Sequence, residues 1–131
     1  MPGFKETSPR DYYKGKIKDI ELGVINMDKS TGPGTHFIAY FNSPDRDKVI
    51  YYDSYAVLPP KEIQRYLHSN GKVIAYNSTQ HQPIASVTCG YYCIYVLKEL
   101  SNGRPYAEVL DDFSYSPEEN EQMIQQYFNL K

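Results

Sequence analysis

The chain has 131 residues, of which 40% are hydrophobic and 23% are charged. This length and composition fit one globular domain over 1–131, and they exclude two separate cores and a disordered chain. Fourteen Lys and Arg residues against sixteen Asp and Glu residues give a net charge of -2, which argues against a protein that coats nucleic acid. The fourteen tyrosines either cap the core or line a recognition surface.

Membrane insertion and secretion are both unexpected from the pattern of apolar residues. The longest apolar runs, such as Tyr91–Leu97, are far shorter than the roughly 20 residues of a membrane helix. The first ten residues, MPGFKETSPR, contain no apolar stretch of the kind found in a secretory signal. The two cysteines, Cys89 and Cys93, lie four positions apart and form no disulfide framework. We therefore expect reduced thiols and a cytosolic environment, with residues 1–16 as a peripheral segment.

The first half of the chain predicts β-strands. The run LGVINM at 22–27 is apolar and β-branched and is followed by the turn-rich DKSTGPGT, which is typical of a buried strand. The segments HFIAYFN at 36–42 and KVIYYD at 48–53 flank a polar turn, and so predict an antiparallel hairpin.

The second half predicts helices with one further strand. Pro59 and Pro60 precede a short helix at 61–69, and KVIAYN at 72–77 is a strand candidate. An irregular polar stretch leads to the apolar run CGYYCIYVLKEL at 89–100, which ends at Ser-Asn-Gly and predicts a buried helix.

The last helix has a capping box at its start. Ser116, Pro117 and Glu119 fit the N-cap, N1 and N3 positions of a helix over 118–128. This amphipathic helix is expected to turn four apolar side chains inward, namely Met123, Ile124, Tyr127 and Phe128.

Four side chains in a definite order are candidates for chemistry. His36 opens one predicted strand, Asp53 ends the next, Gln82 lies in a polar loop, and Cys89 begins a helix. A cysteine attacks as the thiolate, which is stabilised by a helix N-terminus by less than about 1 kcal/mol. An imidazolium near 4 Å contributes roughly 4 kcal/mol at an effective dielectric of 20, so the histidine would dominate activation.

Hairpin geometry brings two of these side chains together. The start of the first strand lies beside the end of the second, so the carboxylate of Asp53 is expected at the imidazole of His36, where it would fix the ring tautomer. Gln82 precedes Cys89 by seven residues and can return its amide beside the thiol. With the backbone N–H of Cys89 it would form an oxyanion hole.

Each of these residues also has a plain structural interpretation. A cysteine in an apolar helix is more often a packing residue, and Cys93, one turn further along the same face, is expected to fill the core. His36 can be a surface histidine at a strand end, Asp53 a turn residue, and Gln80 or Gln82 an ordinary loop amide. Between the two glutamines, the distance to Cys89 favours Gln82.

Three segments taken together resemble the adenovirus-type cysteine proteases (adenain-like). They are GTHFIAYFN at 34–42, VIYYDSY with PPKEIQRYL behind it at 49–67, and QPIASVTCGYYC at 82–93. The nearest likeness is to the maturation proteases of virophages and of Maverick/Polinton elements, over roughly 20–101. As in that family, an aromatic residue follows His36, an acidic residue comes 17 positions later, and Cys89 is followed by glycine.

The resemblance implies an α+β fold with a mixed central sheet flanked by helices and a papain-like site in permuted chain order (the adenain/ubiquitin-like-protease fold). It implies Cys89 as nucleophile, His36 as base and then acid, Asp53 as orienter and Gln82 as oxyanion donor. Relatives cleave structural precursor polyproteins, commonly after glycine in small-residue motifs. A cleft near Gly32, with Gly34, Thr35, Phe37 and Gly90 as substrate-binding residues, would suit that preference.

Partners and location follow from the same resemblance. We expect a capsid precursor polypeptide as substrate, a monomer, no membrane association and no cofactor, in the virion and the host-cell cytoplasm. Adenovirus protease is activated by DNA and by a peptide that can attach through a disulfide. Both cysteines here lie within CGYYC and the net charge is mild, so the sequence supports neither activator, and we expect activity without a covalently attached peptide.

Three alternatives remain open. The motif YYDS also resembles the ubiquitin-like-protein-specific proteases, so the chain can be an isopeptidase that removes a ubiquitin-like modifier. It can also be an inactive module that holds a peptide in its aromatic cleft. A zinc site is the weakest alternative, because two cysteines on one helical face and three scattered histidines do not have zinc-ligand spacing.

Overall fold

A computed structural model describes residues 3–9, 13–27, 36–84 and 86–130. Five strands and four helices make up this part of the chain. The strands are β1 (Phe4–Pro9), β2 (Glu21–Asn26), β3 (Phe37–Asn42), β4 (Lys48–Tyr52) and β5 (Val73–Tyr76). The helices are α1 (Lys61–Leu67), α2 (Cys89–Ser101), α3 (Tyr106–Leu110) and α4 (Pro117–Tyr127).

The strands form one mixed sheet in the order β1-β2-β3-β4-β5. The central pairs β2/β3 and β3/β4 are antiparallel, whereas β1 runs parallel to β2 and β5 runs parallel to β4. The predicted hairpin is therefore observed as β3 and β4, with Ala39 opposite Tyr52. Because its turn lies at 43–47, the start of β3 and the end of β4 meet at the opposite end of the sheet.

Successive residues of each central strand point to opposite faces of the sheet, and both sets are apolar. Each face is therefore covered by other elements. One face packs against α2, α3 and α4, and the other against α1 and the segment at 13–17. The first face is formed by Leu22, Val24, Ala39, Phe41, Ile50 and Tyr52, and the second by Ile25, Ile38, Tyr40, Val49 and Tyr51.

The two long helices begin and end within one residue of the predicted bounds. Helix α2 starts at Cys89, and the chain leaves it through Gly103, whose φ of +88° suits a glycine. At the start of α4 the Ser116 hydroxyl accepts a hydrogen bond from the Glu119 N–H at 3.3 Å, which is one half of a capping box, whereas the Ser116 N–H donates to the Ser114 hydroxyl at 3.1 Å. The α+β class with a mixed sheet and flanking helices is confirmed.

Many of the tyrosines lie inside the protein rather than on its surface. Tyr40, Tyr51 and Tyr52 are fully buried in the sheet. The hydroxyls of Tyr40 and Tyr66 both donate to one carboxylate oxygen of the buried Glu21, each at 2.5 Å. These phenols supply the hydrogen bonds that a carboxylate needs when it leaves water.

The structure departs from the sequence prediction at both ends of the chain. The segment 1–16 is not simply peripheral, because Phe4–Pro9 adds an edge strand and Tyr13 is only 3% exposed in the second core. The short helix α3 was not predicted. In α4, Ile124 is buried as expected, but Tyr127 is 41% exposed, although its ring packs edge-on against Tyr95 and Phe128.

Among the described residues, none of the helices has the length and apolar character needed to cross a membrane.

Candidate active site

His36 and Asp53 meet at the end of the sheet that the hairpin predicts. The His36 Nε2 and Asp53 Oδ1 atoms are 3.0 Å apart, and the carboxylate side chain is only 2% exposed. A buried carboxylate at this distance holds the ring in one orientation and favours its protonated form. The predicted approach of these two side chains is thus observed.

Asp53 is itself held on several sides. Its Oδ1 accepts a second hydrogen bond from the Tyr55 N–H at 2.8 Å. The Asn77 side chain accepts from the Asp53 N–H at 3.0 Å and donates to the Asp53 carbonyl at 2.7 Å. Asn77 follows β5 and is buried, so the neighbouring strand fixes the backbone that carries the carboxylate.

Cys89 lies at the first position of α2, and its side chain is turned toward the histidine. Burial raises the pKa of the Cys89 thiol, but the neighbouring His36 imidazole, the Phe37 N–H, the imidazolium charge and the Gly90 N–H lower it below its ordinary value. These neighbours therefore favour the thiolate.

The histidine responds to the same arrangement. Burial lowers the pKa of His36, but the hydrogen bond to Asp53 and the nearby Cys89 sulfur, together with their negative charges, raise it to about 9. Asp53 engages Nε2, and Nδ1 has no hydrogen-bond partner within the described ranges, so Nδ1 is the ring nitrogen available to the thiol. The sulfur, imidazole and carboxylate are arranged in that order.

Cys93 occupies a different environment one helical turn away. It is fully buried, its Sγ donates to the Phe37 carbonyl at 3.4 Å, and burial raises the pKa of its thiol well above the ordinary value. Two cysteines on the same helix face thus have opposite pKa shifts, and only Cys89 has a thiolate-stabilising partner. The expectation that Cys93 fills the core matches this environment.

Gln82 is completely buried in the loop before α2. Its Oε1 accepts from the Ser54 hydroxyl at 2.6 Å, and its Nε2 donates to the Ser86 carbonyl at 3.1 Å and to the Ser86 Oγ at 3.2 Å. The backbone N–H of Gln82 also donates to the Ser54 carbonyl. Gln80, the other glutamine considered, donates to the Gln82 carbonyl instead, at 2.8 Å. These hydrogen bonds connect Gln82 to Ser54, which follows Asp53, and to Ser86, which lies in the loop leading to Cys89.

Tyr55 is a site residue that sequence reasoning missed. Its ring lies 5.1 Å from the His36 ring, centroid to centroid, and its hydroxyl faces three loop carbonyls, those of Pro83, Ile84 and Ser86, at 3.2–3.3 Å. It therefore links the imidazole to the loop that carries Gln82. Its position two residues after the acid in YYDSY was the available signal.

Two of the four predicted substrate-binding residues line one groove. Phe37 and Gly90 border an open cavity of about 400 Å³ together with Val24, Val87, Tyr91 and Ile94. A Cβ at Gly90 would meet no atom of another part of the chain within 4 Å, so the groove is open beside Cys89. Its walls are more apolar than the glycine-lined cleft that the sequence suggested. Gly32, Gly34 and Thr35 lie outside the described residues.

The described part of the chain contains no group of three His, Cys, Asp or Glu side chains that could hold a metal ion. His81 is a second histidine, and it is buried. Its Nδ1 forms a hydrogen bond of 2.9 Å with the Tyr52 hydroxyl, and its ring stacks on Phe113. Burial lowers the pKa of His81 to about 4, so this ring is a neutral packing group.

The fold is that of a known group of cysteine proteases. The crystal structure of selenomethionine-labelled ASFV pS273R protease superposes with a TM-score of 0.61 at 21% identity, covering 78% of this chain and 41% of that one. The SUMO protease Ulp1 with its catalytic cysteine oxidised to a sulfinic acid gives a TM-score of 0.53 at 17% identity, covering 82% and 49%. Identities this low establish the shared architecture and no more.

The chain spans less than half the length of these solved structures. No protein-family model matches the sequence. No curated protein matches it either.

Proposed function

We propose that the protein is a cysteine endopeptidase in which Cys89 is the nucleophile, His36 the base and then the acid, and Asp53 the orienter. The observation that carries the proposal is the alignment of thiol, imidazole and buried carboxylate, with the pKa of the thiol lowered and that of the imidazole raised to about 9. The fold shared with two cysteine proteases supports it.

The chemistry follows from this ion pair. The Cys89 thiolate attacks the carbonyl carbon of the scissile peptide bond, and the carbonyl oxygen becomes an oxyanion. His36 donates its proton to the leaving amine as the C–N bond breaks, which leaves a thioester. His36 then takes a proton from water, the hydroxide attacks the thioester, and the carboxylic acid and the Cys89 thiolate are released, which restores the ion pair with the protonated His36.

The oxyanion would be bound by the Gln82 side-chain amide and the Cys89 backbone N–H. Gln82 supports this role because its Oε1 is fixed by Ser54, which turns its Nε2 toward the loop leading into α2. A preorganised donor of this kind typically contributes about 10²–10³ in rate.

For the substrate, we propose a viral structural precursor protein, cleaved after glycine in small-residue sequences in the virion or the host cytoplasm. The motif resemblance and the likeness to an ASFV protease support a viral role. The substrate-binding residues would be Gly34, Thr35, Phe37 and Gly90, of which the last two border the open groove. Activity would need no covalently attached peptide, because the chain has no cysteine besides Cys89 and the buried Cys93.

A second candidate function is removal of a ubiquitin-like modifier. The likeness to the SUMO protease Ulp1, with TM-scores of 0.51 and 0.53, favours this alternative. A glycine-ended tail would enter the same groove, so the two functions differ in partner rather than in chemistry.

The test has two parts. Limited treatment with iodoacetamide followed by peptide mapping should label Cys89 and not Cys93, and His36→Ala should slow that labelling about tenfold or more. A capsid precursor and a linear ubiquitin-like fusion, offered in parallel, then distinguish the two functions. Equal and slow labelling of both cysteines, with neither protein cut, would refute the enzyme and favour an inactive peptide-binding module.

A further inference from the structure

One carboxylate outside the predicted site collects hydrogen bonds from the entrance to α2. Glu121, on α4, accepts from the Ser86 hydroxyl at 3.0 Å and from the Tyr92 hydroxyl at 3.0 Å. The Thr88 hydroxyl lies 2.9 Å from both of its carboxylate oxygens. Gln125, one turn along α4, donates to it at 3.2 Å. Four side chains thus surround a single charge at the N-terminus of α2.

This network continues to the proposed oxyanion donor. The Gln82 Nε2 donates to the Ser86 Oγ at 3.2 Å, and the Thr88 N–H donates to the same oxygen at 3.2 Å. The Ser86 hydroxyl has one proton, and the charged Glu121 carboxylate at 3.0 Å is a stronger acceptor than the neutral Thr88 Oγ1 at 2.7 Å, so its lone pairs face the Gln82 Nε2 and the Thr88 N–H. The carboxylate therefore sets the direction in which the Ser86 oxygen accepts, and with it the orientation of the Gln82 amide.

We propose that Glu121 is a positioning residue that holds the loop at 86–88, and through Ser86 the Gln82 amide, in the orientation that stabilises the oxyanion. This inference rests on the proposed function, in particular on the role of Gln82. Hydrogen bonds to an ionised acceptor are about twice as strong as neutral ones, so a carboxylate suits a residue that must fix three hydroxyls.

A purely structural role is the competing interpretation, because the same hydrogen bonds also tie α4 to α2. The two roles differ in what they change. A lost structural tie would lower stability and affect every reaction of Cys89 alike. A lost positioning contact would slow only steps that create an oxyanion, and its effect would vanish when Gln82 is absent.

Two reactions of the same thiol separate these effects. Alkylation of Cys89 by iodoacetamide needs the thiolate but creates no oxyanion. Hydrolysis of Ala-Ala-Gly-Gly-aminomethylcoumarin needs the thiolate and also passes through an oxyanion. We expect Glu121→Ala to lower kcat about tenfold with KM changed less than about twofold, while the alkylation rate stays within about twofold of the wild type. Glu121→Gln keeps an acceptor oxygen and should recover most of the loss. Glu118→Ala, which removes an exposed charge from the same helix, serves as the matched control.

A double-mutant cycle with Gln82 completes the test. If Glu121 acts through Gln82, the variant with both alanines should turn over no more slowly than Gln82→Ala alone. Multiplicative losses, or an alkylation rate that falls together with kcat, would overturn the proposal. If Glu121→Ala does not fold, Ser86→Ala breaks the same link and should show the same split. A wild-type chain that is alkylated at Cys89 but releases no coumarin refutes the protease itself, whereas an active wild type equalled by Glu121→Ala refutes only the role of Glu121.

Discussion

Replacing Asp53 by asparagine tests the electrostatic core of the site. The substitution keeps the shape of the side chain but removes the negative charge 3.0 Å from the His36 Nε2. A unit-charge pair at this distance is worth about 5 kcal/mol at an effective dielectric of 20. After the cost of removing both groups from water, a hydrogen bond to a charged group typically retains about 1.5–3 kcal/mol. A loss of about 2 kcal/mol corresponds to a decrease in rate of roughly 30-fold.

The measurement is the rate of Cys89 alkylation and of peptide hydrolysis as a function of pH, with the His36 ring titrated by NMR. In Asp53→Asn we expect both rates at pH 7 to fall about 30-fold and the pKa of His36 to drop from about 9 by about 1.5. Asp47→Asn, which removes an exposed charge from the turn at the far end of the hairpin, should change neither. An unchanged His36 titration in Asp53→Asn would refute the coupling of carboxylate and imidazole.

Three further predictions concern pH and stability. Because the pKa of His36 is raised to about 9, the imidazolium is present at neutral pH and is lost as pH rises through about 9, so turnover should fall there. Turnover should also fall in acid, as the Cys89 thiolate is protonated. A flat profile above pH 8 would contradict the assignment. Ser116→Ala removes the cap of α4 and should lower the free energy of unfolding by about 1 kcal/mol in urea titration, with kcat unchanged. Ile124→Ala, at a fully buried position, should cost about 2–5 kcal/mol, and a loss below 1 kcal/mol would show that α4 does not close the core.

The sequence predicts the structure best where the interacting residues are close together in the chain or share one pair of strands. The β-branched and aromatic runs of β3 and β4, with a polar turn between them, predict a hairpin, and a hairpin with its turn at 43–47 places His36 beside Asp53 without further information. The capping box at Ser116 likewise identifies the start of α4 from three residues. Local rules suffice in these cases because the interacting groups are close in sequence or share one strand pair.

The remaining features depend on contacts between distant segments. The edge strand β1 lies parallel to β2 although its own sequence, FKETSP, is mostly polar, so its pairing comes from the partner strand rather than from its composition. The links from Glu121 to Ser86 and Thr88 span 33–35 residues, and no local pattern identifies them. Burial of Tyr13 similarly depends on the rings of Tyr40 and Tyr66.

The division of the site between the sheet and α2 has a consequence for newly made chains. The proposed base and its carboxylate come from the hairpin, whereas the proposed nucleophile comes from a helix that must dock on the sheet before His36 and Cys89 meet. Until docking occurs, the sulfur is an ordinary thiol with an ordinary reactivity. The rate at which Cys89 becomes reactive during refolding therefore reports when the last layer of the domain is assembled, and a partly folded chain carries no competent nucleophile.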